Sequence, residues 1–192
     1  LVRHMAGLGQ SSNPSLPPYH PSALPLVPDL IEIITPETTQ PGGRHAHLAA
    51  YRGEIAVRAW IGAPGDPTTQ VGGVGWKRGV QWMPYMPRNF VTPPFPGYTS
   101  GHSTFSRSAA EVLAAITGTP FFPCGLGSFV AAQNEYLAIE RGPSHTVELQ
   151  WATYFDAADL AGISRRFGGI HPYYDDYPSR ITGSRIGMKA WA

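Results

Sequence analysis

Ser100, Gly101 and His102 stand side by side in "GYTSGHSTFS" (97–106), immediately before a helical pattern. Those three residue types at a helix start suit an anion. Glycine lets the backbone come close to a ligand. The first amides of a helix have no intrahelical partners, and the helix dipole favours negative charge beside them. A serine hydroxyl can donate a further hydrogen bond, and histidine moves protons near neutral pH. A plainer reading competes, because Ser and Gly begin many helices and His102 could simply cap one.

The second stretch with chemical content is "SRRFGGIHPYYDD" (164–176). Arg165 offers a planar fork of donors that matches an oxyanion. His171 could ligate a metal-like centre or attack phosphorus through one ring nitrogen. Asp175, four residues on, is placed to fix the tautomer of His171. Gly168 and Gly169 permit a tight turn that brings His171 back toward the helix bearing Arg165. The plainer reading here is a helix ending in Arg, a glycine turn, and a His–Asp pair at the surface.

Helices must position both stretches. "TFSRSAAEVLAAIT" (104–117) repeats Phe105, Ala109, Val112, Leu113 and Ile116 at helical spacing, with Gly118 as the stop. "TVELQWATYFDAADLAGISRR" (146–166) is expected to be a second helix, with Trp151, Tyr154, Ala158, Ala161 and Arg165 on one face. A third is expected at 173–190, where Gly183 and Gly187 would let another helix approach closely. "LAAYRGEIAVRAW" (48–60) is read as a further helix, and prolines break "SALPLVPDLIEIIT" (22–35). Many of the 22 glycines and 20 prolines fall in 7–43 and 62–98, which are expected to be long ordered loops with short helical pieces. The expected fold is all-α, a helical bundle in one domain spanning 1–192.

Composition narrows the function. A formal net charge of +1 over 192 residues provides no basic stripe for nucleic acid or a membrane surface. No apolar run approaches the roughly 18–20 residues that span a bilayer. Cys124 is alone and is read as a small buried apolar residue. His45 and His47 are two apart, His4, His20 and His145 are scattered, and none suggests a metal site.

Taken together, "SGHS" (100–103) and the "SR" at 164–165 followed by His171 and Asp175 resemble the vanadium-dependent haloperoxidases. They also resemble the related acid phosphatases and type 2 phosphatidate phosphatases. That superfamily uses three blocks: a Lys followed by an Arg-Pro, a "PSGH", and an "SR" followed by His and Asp. Blocks two and three occur here in order, with Thr99 in place of the usual Pro. The run "PPFPGYTSGHSTFSRSAAEVL" (93–113) is closer to the soluble haloperoxidase branch. Block one has no match, and Lys77 and Lys189 are the only lysines. Leu1-Val2-Arg3 resembles the stretch that follows block one, so its Lys and Arg are expected on an upstream segment or a separate chain. Arg44, Arg52, Arg58, Arg78 and Arg88 are the alternatives for extra anion contacts.

The resemblance implies vanadate as cofactor, with phosphate able to take the same place. It implies His171 as the vanadium ligand, Arg165, Ser100 and Gly101 on the equatorial oxygens, His102 as acid/base, and Asp175 orienting His171. Hydrogen peroxide, halide and a small organic substrate would be the reactants, and Phe95 a candidate halide-pocket residue. Relatives form homo-oligomers and tend to act outside the cytoplasm. Two other functions use the same residues: a phosphomonoesterase with His171 as nucleophile, and an assembly subunit that keeps the fold without catalysis.

Overall fold

The structure, a computed structural model, describes residues 5–7, 23–87, 97–135 and 137–192. Phe95, His4, His20, Arg88 and Leu1-Val2-Arg3 lie outside the described residues. The chain divides into two compact units, Leu1–Pro64 with Gly72–Met83, and Gly65–Val71 with Pro84–Ala192.

The first unit is built on an antiparallel sheet of β1 (Ile31–Ile33), β2 (Ile55–Trp60) and β3 (Val74–Arg78), in the order β1-β2-β3. Ile31 lies opposite Val57, and Val57 opposite Lys77. Side chains alternate across β2. Ile55 and Val57 therefore join Leu24, Ile33 and Ala6 in one buried cluster, while Ala56 joins Ile34 and Leu48 in another. The helix expected over 48–60 is not present. A 3-10 turn at Ala46–Tyr51 is followed by β2. Gly53, at φ 90°, takes a left-handed conformation that ends any helix, and the Ile-Ala-Val run then follows strand period.

The second unit holds α1 (Gly101–Thr117), the hairpin β4 (Gly127–Ala131) and β5 (Val147–Trp151), α2 (Tyr154–Phe167) and α3 (Tyr173–Trp191). The long helix expected at 146–166 is therefore two elements. "VELQW" pairs with β4, and Thr153 starts α2 with a reciprocal capping box. The Thr153 hydroxyl oxygen accepts from the Asp156 amide at 3.0 Å, and the Asp156 carboxylate accepts from the Thr153 amide at 2.9 Å. The bundle is real, but two small sheets accompany it, so the chain is not all-α. Cys124 also departs from expectation: it is exposed, in a turn.

α1 packs most extensively on α3 and next on α2. The expected apolar stripe is not what α1 buries: Phe105, Leu113 and Ile116 are exposed, and Ser103 and Ala110 are buried. Small residues decide this face. A Cβ on Gly187 would stand 2.6 Å from the Ser108 carbonyl oxygen, and one on Gly183 would collide with that of Thr104. The two glycines thus set a close backbone approach, and large side chains are pushed off the contact. Around Ala110, the core is completed by Tyr154 and Ala158, with Phe122 edge-on to Tyr154 at 4.8 Å. No described helix is long and apolar enough to cross a membrane.

Candidate active site

Every described residue of the two chemical stretches belongs to the second unit. Ser100 is the N-cap of α1 and is fully buried. Its hydroxyl oxygen accepts from the Ser103 amide at 3.4 Å, and its carbonyl accepts from the Thr104 amide at 3.0 Å. Its own amide donates to the Ser179 hydroxyl oxygen at 2.8 Å. Two helix-start amides, those of Gly101 and His102, are left without a hydrogen bond among the described residues. A Cβ placed on Gly101 would meet no atom within 4 Å, so the side-chain direction at its Cα is open. Ser100 works here as the buried cap that presents those amides.

The glycine turn after α2 returns the chain as its sequence suggests. Gly168 closes the helix and Gly169 takes φ 72°. The Ile170 amide donates to the Arg165 carbonyl at 2.9 Å, and the Gly169 amide to that of Arg166 at 3.0 Å. This pair of bonds is a Schellman motif, which needs a left-handed residue at its corner. The same Arg165 carbonyl accepts from the His171 amide at 3.3 Å. His171 is thereby tied to the residue that bears the guanidinium.

His171 is buried, and its Nδ1 lies 3.1 Å from Oδ2 of the buried Asp175. With Nδ1 engaged in this way, ligation by the ring falls to Nε2. Asp175 is held in turn by close packing, since a Cβ on Gly97 would stand 2.9 Å from its Oδ2. The Arg165 Nε is buried without a hydrogen-bond partner among the described residues. Such an orphan donor is costly unless something accepts from it.

His102 is electrostatically coupled to both other groups. Partial burial, and then the charges of Arg165 and His171, hold its pKa below that of an ordinary imidazole. Arg165 and His171 thus lie within electrostatic reach of His102, and Asp175 is bonded to His171. The Tyr173 and Tyr177 rings lie 4.5 Å apart, tilted by 37°, and both are exposed. His45 and His47 lie in the first unit, where His45 contacts Thr38 at 3.0 Å and His47 contacts the Trp76 carbonyl at 2.8 Å.

Sequence reasoning missed the layer beneath. Asp176 is fully buried and accepts from Arg180 through both oxygens, at 2.8 and 2.7 Å, and from the Ser103 hydroxyl at 2.8 Å. Burial pushes its pKa up, but the bonds from Arg180 and Ser103 outweigh this and hold it below the usual carboxylate range. The one signal in the sequence was Asp176 and Arg180 at i,i+4.

The profile described as VCPO second helical-bundle domain matches residues 47–192. The chain belongs to this family. Among solved structures, this VCPO-family chain is similar to a bacterial vanadium-dependent chloroperoxidase in its holo form. The TM-score is 0.59 at 19% identity, over 71% of this chain and 26% of that one. The apo form of a bacterial vanadium-dependent chloroperoxidase gives 0.57 at 19%, over 70% and 26%. A bacterial vanadium-dependent iodoperoxidase shares 32% identity over 56% of this chain and 22% of its own, at a TM-score of 0.38, too low to bear on the fold. The chain spans about a quarter of the length of these relatives. No curated protein matches the sequence.

The donor set fits a tetrahedral oxyanion. It offers, among the described residues, two unpartnered helix-start amides, an orphaned guanidinium nitrogen and a carboxylate-oriented imidazole.

Proposed function

We propose that this chain carries the vanadate-binding part of a haloperoxidase, which oxidises halide with hydrogen peroxide to a hypohalous acid-type halogenating species. The observation that carries the reading is the buried, unpartnered Arg165 Nε together with a buried His171, tied to Arg165 through its backbone, whose Nδ1 is fixed by Asp175. His171 would hold vanadium through Nε2. Arg165 and the Gly101 and His102 amides would bond the oxygens, with Ser100 setting the direction of those amides from beneath. When bound, vanadate supplies a Lewis-acidic centre at which hydrogen peroxide becomes open to attack by halide.

The chain's own residues do the remaining work. Asp175 accepts from the Nδ1 proton of His171 and so holds the ring in one tautomer and orientation. His102, whose pKa lies below that of an ordinary imidazole, would accept a proton from hydrogen peroxide on its unprotonated ring nitrogen and later give it up. Phe95 would line the halide pocket. An upstream Lys and Arg, on the same or another chain, would complete the charge around the anion, and the assembly would be a homo-oligomer.

The test is halogenation of an organic acceptor by the complete protein with hydrogen peroxide and halide, with and without orthovanadate, beside hydrolysis of a phosphate monoester. Halogenation that needs orthovanadate is expected. Ester cleavage without halogenation would replace this reading with the phosphatase. Inactivity in both assays, with no orthovanadate bound, would leave a non-catalytic subunit.

A further inference from the structure

Asp176, Ser103 and Ser179 are all fully buried, and the family resemblance gives none of them a role. Burying a carboxylate is costly, and a well-packed apolar substitute is often as stable. The Asp176–Arg180 pair therefore invites an explanation beyond stability. Its bonds lead to the cradle. The Ser103 hydroxyl lies 2.8 Å from Asp176 Oδ1 and 2.9 Å from Ser100 Oγ. It has one proton, and the carboxylate, which can only accept, is the stronger claimant. Ser103 is thus fixed against Asp176, and Ser100 is fixed against Ser103. One turn along α3, Ser179 accepts from the Ser100 amide.

The same helix start carries Asp175, which holds His171. Adjacent residues on a helix point about 100° apart, so Asp175 can face the imidazole while Asp176 faces the α1 cap. α2 is keyed to the same point. A Cβ on Gly162 would stand 2.5 Å from Asp176 Oδ1 and 2.9 Å from Ser103 Oγ, and Gly162 lies one turn before Arg165. The Arg180 Nη2 also donates to the Asp159 carbonyl at 3.2 Å, on α2. All three segments that would supply ligands to the anion are referenced to one buried carboxylate.

We propose that Asp176, acting through Ser103, is a positioning residue for the anion cradle: it sets the Ser100 cap and hence the direction of the Gly101 and His102 amides. The inference rests on the oxyanion-site reading above. A purely structural Asp176 would lower the stability of the fold and leave orthovanadate affinity unchanged in the folded protein. A positioning Asp176 acts on affinity, and only while Ser103 is there to transmit it.

A double-mutant cycle on orthovanadate affinity separates the two, read by vanadium NMR on the full chain at a temperature where far-ultraviolet helix signal equals wild type. Ser103→Ala and Asp176→Asn should each weaken binding about 10-fold, in the range usual for supporting residues. The double variant should lose about as much as either single, not the product, because the two act in series. Ser179→Ala, which removes one hydrogen bond, carries the test if Asp176→Asn fails to fold, and should also weaken binding about 10-fold. Variants with native helix signal that bind orthovanadate as wild type does, or a double variant that shows the full product, would overturn the proposal and leave the oxyanion site standing. Wild-type protein that binds no orthovanadate would overturn both.

Discussion

Partial burial, and then the nearby Arg165 and His171, hold the His102 pKa below that of an ordinary imidazole. An NMR pH titration should place its midpoint below about 6.5. Saturating orthovanadate should move that midpoint up, because the anion offsets the cationic neighbours. A midpoint that ignores the anion would separate His102 from the site. The sign for stability follows from linkage. As pH falls from about 6.5 toward the lower folded value, the unfolded chain takes up the proton first, so the folded state loses ground over that window. The candidate ligating residues were legible because their types are chemically telling and their spacing is short. Ser103, Asp176 and Ser179 were not. Ser103 meets Asp176 across 73 positions, and Ser100 meets Ser179 across 79, and small polar residues paired over such distances leave no periodic trace.

The turn between α2 and α3 governs His171, and it depends on Gly169. Gly169→Ala would force a Cβ into φ 72°, at a cost of about 1–2 kcal/mol. The Schellman bonds that tie His171 to Arg165 would loosen with it. Weaker orthovanadate binding together with a lowered thermal midpoint is expected, and a variant that loses stability yet binds normally would show that the turn does not set the site. At the α1–α3 contact, Gly187→Ala would press on the Ser108 carbonyl and Glu111 Cβ. Overpacking of that kind costs about 1–3 kcal/mol, measurable by denaturant unfolding. The glycine pair was readable at sequence level because spacing of four on a helix defines one face. The apolar stripe on α1 misled for the same reason, since periodicity names a face without naming its partner. β5 was hidden by running directly into α2, where Thr153 and Asp156 mark a boundary that hydrophobic spacing alone does not show.

At the scale of the molecule, two compact units with different architectures share the chain, and the helical unit carries the described site. The bundle was legible through three amphipathic or glycine-spaced segments. The sheet of the first unit was not, because its strands are three to six residues long and separated by Gly- and Pro-containing loops. Family membership fits a vanadate-binding reading, and such a ligand should stabilise the fold by mass action. Orthovanadate at 100 times its dissociation constant adds about 2.7 kcal/mol if it binds only the native state. The thermal midpoint should therefore rise with orthovanadate concentration, and His171→Ala should abolish the rise. The most direct test is a crystal structure of the protein grown with orthovanadate. The account predicts density joined to Nε2 of His171 and within hydrogen-bond reach of Arg165 and the Gly101 and His102 amides. A cradle that stays empty, or an anion seated away from His171, would contradict it.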